Sequence, residues 1–325
     1  MRLPKFEYVE PKNLKEASAI LTKQAGARIF AGGTDLLVNM KHRVETPALL
    51  VNLKKIADLS FIQTNGGEVR IGALTPLKKI YNHPFIAEKL PGLASAALAV
   101  GSYHHQTMGT VGGNVCQQNR CKFYSQSLQW RSSRALCLKA GGETCHVVKN
   151  KSRCYSTYCG DTAPALLVMN ARAIIAAKGG ATEIDLESLF SGNGKRPLNL
   201  KKGEILTQII IPKDAAEGVS VYTKIANRES IDFPIVGAAL WASPDRNEFR
   251  VAYTAVDRKP VRARKAEAAL KGAKIDKQIL EKAEGLVLEE AKPVNTSVYT
   301  SAYKRKLIKT LLGSMINQVL GRSEL

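Results

Sequence analysis

A chain of 325 residues is longer than one core usually grows, so two or three domains are expected, and a hydrophobic share of 45% excludes a disordered chain. Lys and Arg outnumber Asp and Glu by 48 to 28, a net charge of +20, yet the charges are dispersed and the densest groups, Arg258 to Lys265 and Lys304 to Lys309, have no interleaved aromatics. That pattern disfavours single-strand nucleic-acid binding and points to solvated faces with an acidic protein partner or anionic ligands.

The first residues lack the unbroken apolar core of a signal peptide, and no run reaches the roughly eighteen apolar residues of a bilayer span, so a cytoplasmic protein is expected. Asn13 to Gln24 reads as a helix with Leu14, Ala17, Ile20 and Leu21 on one face, beside short apolar strands at Ala27 to Phe30 and Ala48 to Val51. Strands at Phe61 to Gln63 and Val69 to Gly72 come next, then a small-residue helix from Leu90 to Val100 suited to close packing on a sheet. Pro164 to Asn170 is a compact apolar run, followed by strands at Ala171 to Ala177 and Ile205 to Ile211. Pro212 to Gly218 reads as a linker. Tyr222 to Ile225, Ile235 to Trp241 and Phe249 to Val256 then suggest an antiparallel sheet. In the closing helix Ile308, Leu311, Leu312, Met315 and Val319 form one apolar stripe, with Lys304, Arg305 and Lys309 expected in water.

Two glycine loops carry chemistry. Ala31-Gly32-Gly33-Thr34-Asp35-Leu36 follows a predicted strand and opens a helix, the arrangement in which bare backbone amides approach a phosphate. Gly109-Thr110-Val111-Gly112-Gly113-Asn114 repeats the pattern with a hydroxyl and a carboxamide added. Either pair alone is also what a tight turn uses, but two loops of this composition are stronger.

All six cysteines fall between Cys116 and Cys159. In a reducing cytosol such a cluster reads as metal ligands or reactive thiols before disulfides. Cys121, Cys137, Cys145 and Cys154 are separated by fifteen, seven and eight residues, unlike the paired knuckles of a zinc ribbon or the short ferredoxin run. Four thiolates suffice for a cubane cluster, and structural zinc is the competing reading. Lys122, Lys149, Lys151 and Arg153 lie near these cysteines in sequence, where they offset thiolate charge, dock an acidic carrier or simply keep a loop soluble.

The two glycine loops, Asp161-Thr162-Ala163-Pro164-Ala165-Leu166-Leu167 and Lys224-Ile225-Ala226-Asn227-Arg228 occur in the order found in the FAD-binding subunits of the xanthine oxidase family of molybdenum hydroxylases, which the chain resembles over nearly its whole length. The resemblance implies an α+β fold: a two-subdomain FAD-binding domain of the vanillyl-alcohol oxidase/PCMH type, then a C-terminal α/β domain with an antiparallel sheet. Its expected bounds are 1–56, 57–213 with an insertion at about 115–160, and 218–325. It gives Ile29-Phe30-Ala31-Gly32-Gly33-Thr34-Asp35-Leu36 and Thr110-Val111-Gly112-Gly113-Asn114 to the FAD pyrophosphate, with Thr34 and Thr110 supplying hydroxyls. Asp161 goes to the ribityl or ribose hydroxyls, and Leu206 and Lys224 stand beside the isoalloxazine. One departure is His104-His105-Gln106-Thr107-Met108, where many relatives carry a Gln-Ile-Arg-Asn-like stretch. The two histidines are expected to face solvent or pack, since neighbours on an extended chain point to opposite faces.

The cysteine insertion, with Cys121-Lys122-Phe123-Tyr124, Trp130-Arg131 and Gly142-Glu143-Thr144-Cys145, is similar to that of the 4-hydroxybenzoyl-CoA reductase branch of the family. That likeness implies a 4Fe-4S cluster held by Cys121, Cys137, Cys145 and Cys154, with Cys116 and Cys159 left as buried thiols. It further implies an oxidoreductase subunit with no substrate chemistry of its own. Its partners would be a large molybdenum-cofactor subunit, a small 2Fe-2S subunit and an external carrier such as ferredoxin, with neither nucleic acid nor membrane. Two other readings stand: a xanthine dehydrogenase-like or hydroxylase subunit passing electrons outward to NAD or a carrier, and a zinc-stabilised nucleic-acid-binding protein.

Overall fold

The computed structural model describes residues 2–149, 151–243 and 247–321. Three sheets follow one another along the chain. The first is parallel, β1 (Glu7–Val9), β2 (Ala27–Phe30) and β3 (Leu49–Asn52) in the order β1-β3-β2, with crossover helices α1 (Leu14–Lys23) and α2 (Leu36–Lys41). Asn13 caps α1, its Oδ1 accepting the Glu16 amide at 2.9 Å. Ala17 and Leu21 of α1 pack with Val51 and Leu53 in a small core.

The second sheet is antiparallel, with β4 (Ile62–Asn65), β5 (Glu68–Gly72), β6 (Arg172–Ala177), β7 (Gly180–Asp185) and β8 (Ile205–Ile211) in the order β4-β5-β8-β6-β7. β8 lies at its centre, which is why its sequence is apolar on both faces. Between β5 and β6 come α3 (Leu77–Tyr81), α4 (Pro84–Lys89), α5 (Pro91–Leu98), α6 (Tyr103–Met108), α7 (Val111–Val115), α8 (Leu128–Ser132) and α9 (Thr162–Val168). The small residues of α5 permit the close packing expected of them, for the Gly92 amide donates to Ser220 Oγ at 3.1 Å.

The third sheet, β9 (Val219–Ile225), β10 (Val236–Ser243), β11 (Glu248–Thr254) and β12 (Val261–Arg262), is antiparallel in the order β12-β11-β10-β9. β10 is buried on both faces: Ala239 and Trp241 join the core of the second sheet, while Val236, Ala238 and Leu240 face α10 (Arg264–Leu270), α11 (Lys277–Glu290) and α12 (Ser301–Leu320).

Several expectations change. Pro212 to Gly218 is a packed turn, not a linker: Ala215 is buried and its carbonyl accepts Trp241 Nε1 at 2.9 Å. Lys304 is buried at 2% exposure, its ammonium donating to the Ala255 carbonyl at 2.8 Å, instead of lying in water. The stretch holding His104 and His105 is helical, which removes the alternation argument applied to them. Pro164 to Asn170 falls mostly within α9.

The insertion has little regular structure and is held by its neighbours. Arg131 Nη2 donates to the Arg43 carbonyl at 2.6 Å, the Lys122 amide to Thr296 O at 2.8 Å, and Ser156 Oγ to Gly194 O at 2.7 Å. No helix among the described residues is long and apolar enough to cross a membrane.

Candidate functional site: a glycine-lined cleft beside a cysteine cavity

The turn from β2 to α2 and the turn from α6 to α7 meet directly. A Cβ on Gly32 would collide with the Met108 carbonyl, and Gly33 has φ +74°, so glycine is required at both places by packing and by backbone conformation. Thr110 caps α7, its Oγ1 accepting the Gly113 amide at 3.1 Å, so this hydroxyl is engaged within its own loop. Asn114 Oδ1 then accepts from the Thr162 amide at 3.1 Å and the Thr162 hydroxyl at 2.7 Å. This carboxamide ties the second glycine loop to Asp161.

These turns line a cleft of about 1020 Å³, at the upper end for cofactor sites. Ile29, Ala31, Gly32, Gly33, Thr34, Asp35, Leu36, Thr110, Gly112, Gly113, Asn114, Asp161 and Leu206 all face it. Three expected residues lie outside that lining. Phe30 packs edge-on to Tyr8, Val111 is buried in the core of the second sheet, and Lys224 stands behind Asp161.

Asp161 is 4% exposed and accepts the Tyr222 hydroxyl at 2.7 Å, with Lys224 Nζ at 3.4 Å. Burial pushes its carboxyl up to about 6 despite the Lys224 ammonium and the Tyr222 hydroxyl, both of which favour the carboxylate. Lys224 also donates to the Ala99 and Asp232 carbonyls, each at 2.8 Å, which fixes its position. Tyr222 was missed in the sequence because an aromatic in a strand reads as core.

His105 faces the cleft, with Nδ1 2.9 Å from Ser102 Oγ, whereas His104 is exposed. Arg120, also unforeseen, enters the cleft from the root of the insertion and pairs with Asp35.

Cys121, Cys137, Cys145 and Cys154 line one small cavity together with Lys139, His146 and Ser156. Cys121, Cys145 and Cys154 are buried and Cys137 is half-buried, and all six cysteines are free thiols. Among the described residues no group of three or more His, Cys, Asp or Glu side chains could hold a metal ion. The four thiols line a cavity of about 10 Å³, the size of a single water. Burial, reinforced by Cys154, Cys137 and Cys145, pushes the Cys121 thiol up to about 11. Cys116 and Cys159 face the cleft instead, with burial raising their thiols to about 12 and about 11.

The cleft and the cavity are neighbours, with no lining residue in common among the described residues. Gln118 faces the cleft, yet its Oε1 accepts from Lys139 Nζ at 3.3 Å on the cavity side. Gly194 contacts Cys154, while the next residues, Lys195 and Arg196, face the cleft.

Two glycine turns closed on one another beside a large cleft, with a buried carboxylate and lysine at its edge, define a dinucleotide-cofactor protein. Residues 4–214 match the FAD binding domain in molybdopterin dehydrogenase, and residues 221–319 the CO dehydrogenase flavoprotein C-terminal domain. The chain belongs to the FAD-binding medium subunits of the xanthine oxidase family of molybdenum hydroxylases, and is an oxidoreductase subunit. It is 25% identical to the nicotinate dehydrogenase FAD-subunit of Eubacterium barkeri, over 98% of this chain and 97% of that one. Identity to the carbon monoxide dehydrogenase medium chain of Afipia carboxidovorans is 26%, over 98% of both chains. A chain of the cyanide-inactivated Cu,Mo-CO dehydrogenase crystal structure superposes with TM-score 0.81 at 25% identity, covering 99% of this chain and 100% of that one.

Proposed function

We propose that this chain relays electrons within a multi-subunit molybdenum enzyme, between an external carrier, a 4Fe-4S cluster in the cysteine cavity, FAD in the glycine-lined cleft and the 2Fe-2S centres of a small partner subunit. A large partner subunit would carry the molybdenum. The observation that carries the reading is that Cys121, Cys137, Cys145 and Cys154 line one cavity, which the Gln118–Lys139 hydrogen bond connects to the cleft. The donor set is of the right kind, four thiols of which three are buried with Lys139 beside them, and the thiols would have to draw apart to admit a cluster because the cavity measures about 10 Å³. When bound, FAD exchanges one or two electrons while the cluster carries one at a time.

The chain's own residues do the rest. Gly32, Gly33 and Gly112 let the two turns pack closely against their neighbours, and Ile29 to Leu36 with Thr110 to Asn114 form the cradle for the pyrophosphate. Asp161, held by Tyr222 and Lys224, presents a buried carboxyl to the ribityl or ribose hydroxyls, and Leu206 covers the ring system. Lys224 favours negative charge on a reduced flavin from behind Asp161. On the resemblance of its cysteine insertion, the enzyme would be a 4-hydroxybenzoyl-CoA reductase, with electrons from a ferredoxin-like carrier entering through the cluster. The second reading runs the same wiring outward from a substrate oxidised at molybdenum, and the relatedness to nicotinate and carbon monoxide dehydrogenase subunits favours it.

An anaerobic visible spectrum with iron and acid-labile sulfide analysis tests the cofactors. Flavin bands with about four irons per chain are expected. Zinc without iron would sink the cluster.

A further inference from the structure

We propose that Arg120, supplied by the root of the insertion, is a contact for the FAD pyrophosphate, an inference that rests on the glycine loops cradling that group. Arg120 faces the same cleft as Gly32, Gly33, Thr34 and Gly113. Its backbone is fixed by a pair of bonds with Thr157, N to O at 2.7 Å and O to N at 2.8 Å, so the side chain leaves a rigid anchor. The guanidinium pairs with Asp35, the residue directly after the Gly32-Gly33-Thr34 turn, and lies 4.5 Å from the Phe233 ring centroid. Its Nη1 is loosely engaged, reaching Asn39 Oδ1 only at 3.4 Å, and so remains available to a ligand in the cleft.

A pyrophosphate laid on glycine amides brings negative charge into a cleft lined by the Asp35, Glu45, Asp161, Glu204 and Asp232 carboxyls and by Arg28, Lys195, Arg196, Lys201 and Lys202 besides Arg120. Among these cations Arg120 is the one that pairs with Asp35, directly after the glycine turn, and a guanidinium, a planar fork of donors, donates to phosphate oxygens. Asp35 then aims the fork, and Phe233 supports its flat face.

The competing role is a purely structural tie between Asp35 and the segment carrying Phe233. Flavin titrations of the full chain, stripped of its cofactor, separate the two. Arg120→Gln is expected to weaken FAD at least about tenfold, the scale of a lost hydrogen bond to a charged group, and to leave riboflavin, which has no phosphate, unchanged. Arg120→Lys, which keeps the charge without the fork, should fall between, and it preserves the test if the glutamine variant does not fold. Equal weakening of FAD and riboflavin, or an unaltered FAD affinity, would overturn the assignment. If the unsubstituted chain bound riboflavin and FAD equally, the pyrophosphate cradle itself would fall, and Arg120 with it.

Discussion

Gly194 has no room for a side chain because Cys154 stands against it: a Cβ there would lie 2.9 Å from the Cys154 Sγ and 2.6 Å from its carbonyl oxygen. The Gly194 carbonyl also accepts Ser156 Oγ at 2.7 Å, so this point of the wall is fixed from two sides. Gly194→Ala must push Cys154 or the 191–198 segment aside, and overpacking of that kind costs about 1–3 kcal/mol. A lower thermal midpoint and reduced iron per chain are expected together. Iron and midpoint both at wild-type values would mean that the contact does not hold Cys154 in place.

Cys145 and Cys121 should differ when each is replaced. Cys145 belongs to the cavity alone, whereas Cys121 directly follows Arg120, whose side chain is in the cleft. Cys145→Ser is expected to remove the iron signal and leave FAD bound. If the proposed cluster is there, Cys121→Ser should remove iron and also weaken FAD, because the backbone that sets Arg120 would lose an anchor on the next residue. Iron and flavin content after gel filtration decide it, and parallel loss of FAD in both variants would make the insertion a structural support of the cleft.

The glycine loops and the four cysteines were legible because their chemistry is local: bare amides and thiols are visible one residue at a time. The strand at Ile205–Ile211 was legible for a similar reason, as a mostly apolar run interrupted only by Thr207 and Gln208. Lys304 was not, because what determines its burial is the Ala255 carbonyl, far away in sequence, and a lysine on a helix otherwise reads as solvated. Arg120 and Tyr222 were hidden in the same way. Each acts through a partner from a distant segment, Asp35 in one case and Asp161 in the other. Edge strand β7 was missed because an exposed strand lacks the alternation that reveals a buried face.

Asp161 should make stability depend on pH in a direction opposite to that of most carboxylates. Its folded-state value of about 6 lies above the ordinary 3.8, with burial as the main cause, so the folded chain holds this proton more tightly than the unfolded chain. The favourable contribution is complete below about pH 4, falls as pH rises toward 6, and is gone above it, a total of about 3 kcal/mol for a shift of this size. Asp161→Asn cannot ionise and still accepts the Tyr222 hydroxyl, so it removes the dependence without emptying the site. In the flavin-free chain, the midpoint of the variant relative to the wild type is expected to climb between pH 4 and 6 and then level off. Tyr222→Phe takes away a donor that favours the carboxylate, and the wild-type step should move to higher pH. A variant-to-wild-type difference that is flat across pH 4 to 7 would show that Asp161 ionises normally in the fold, and that the buried carboxyl is better solvated than its 4% exposure implies.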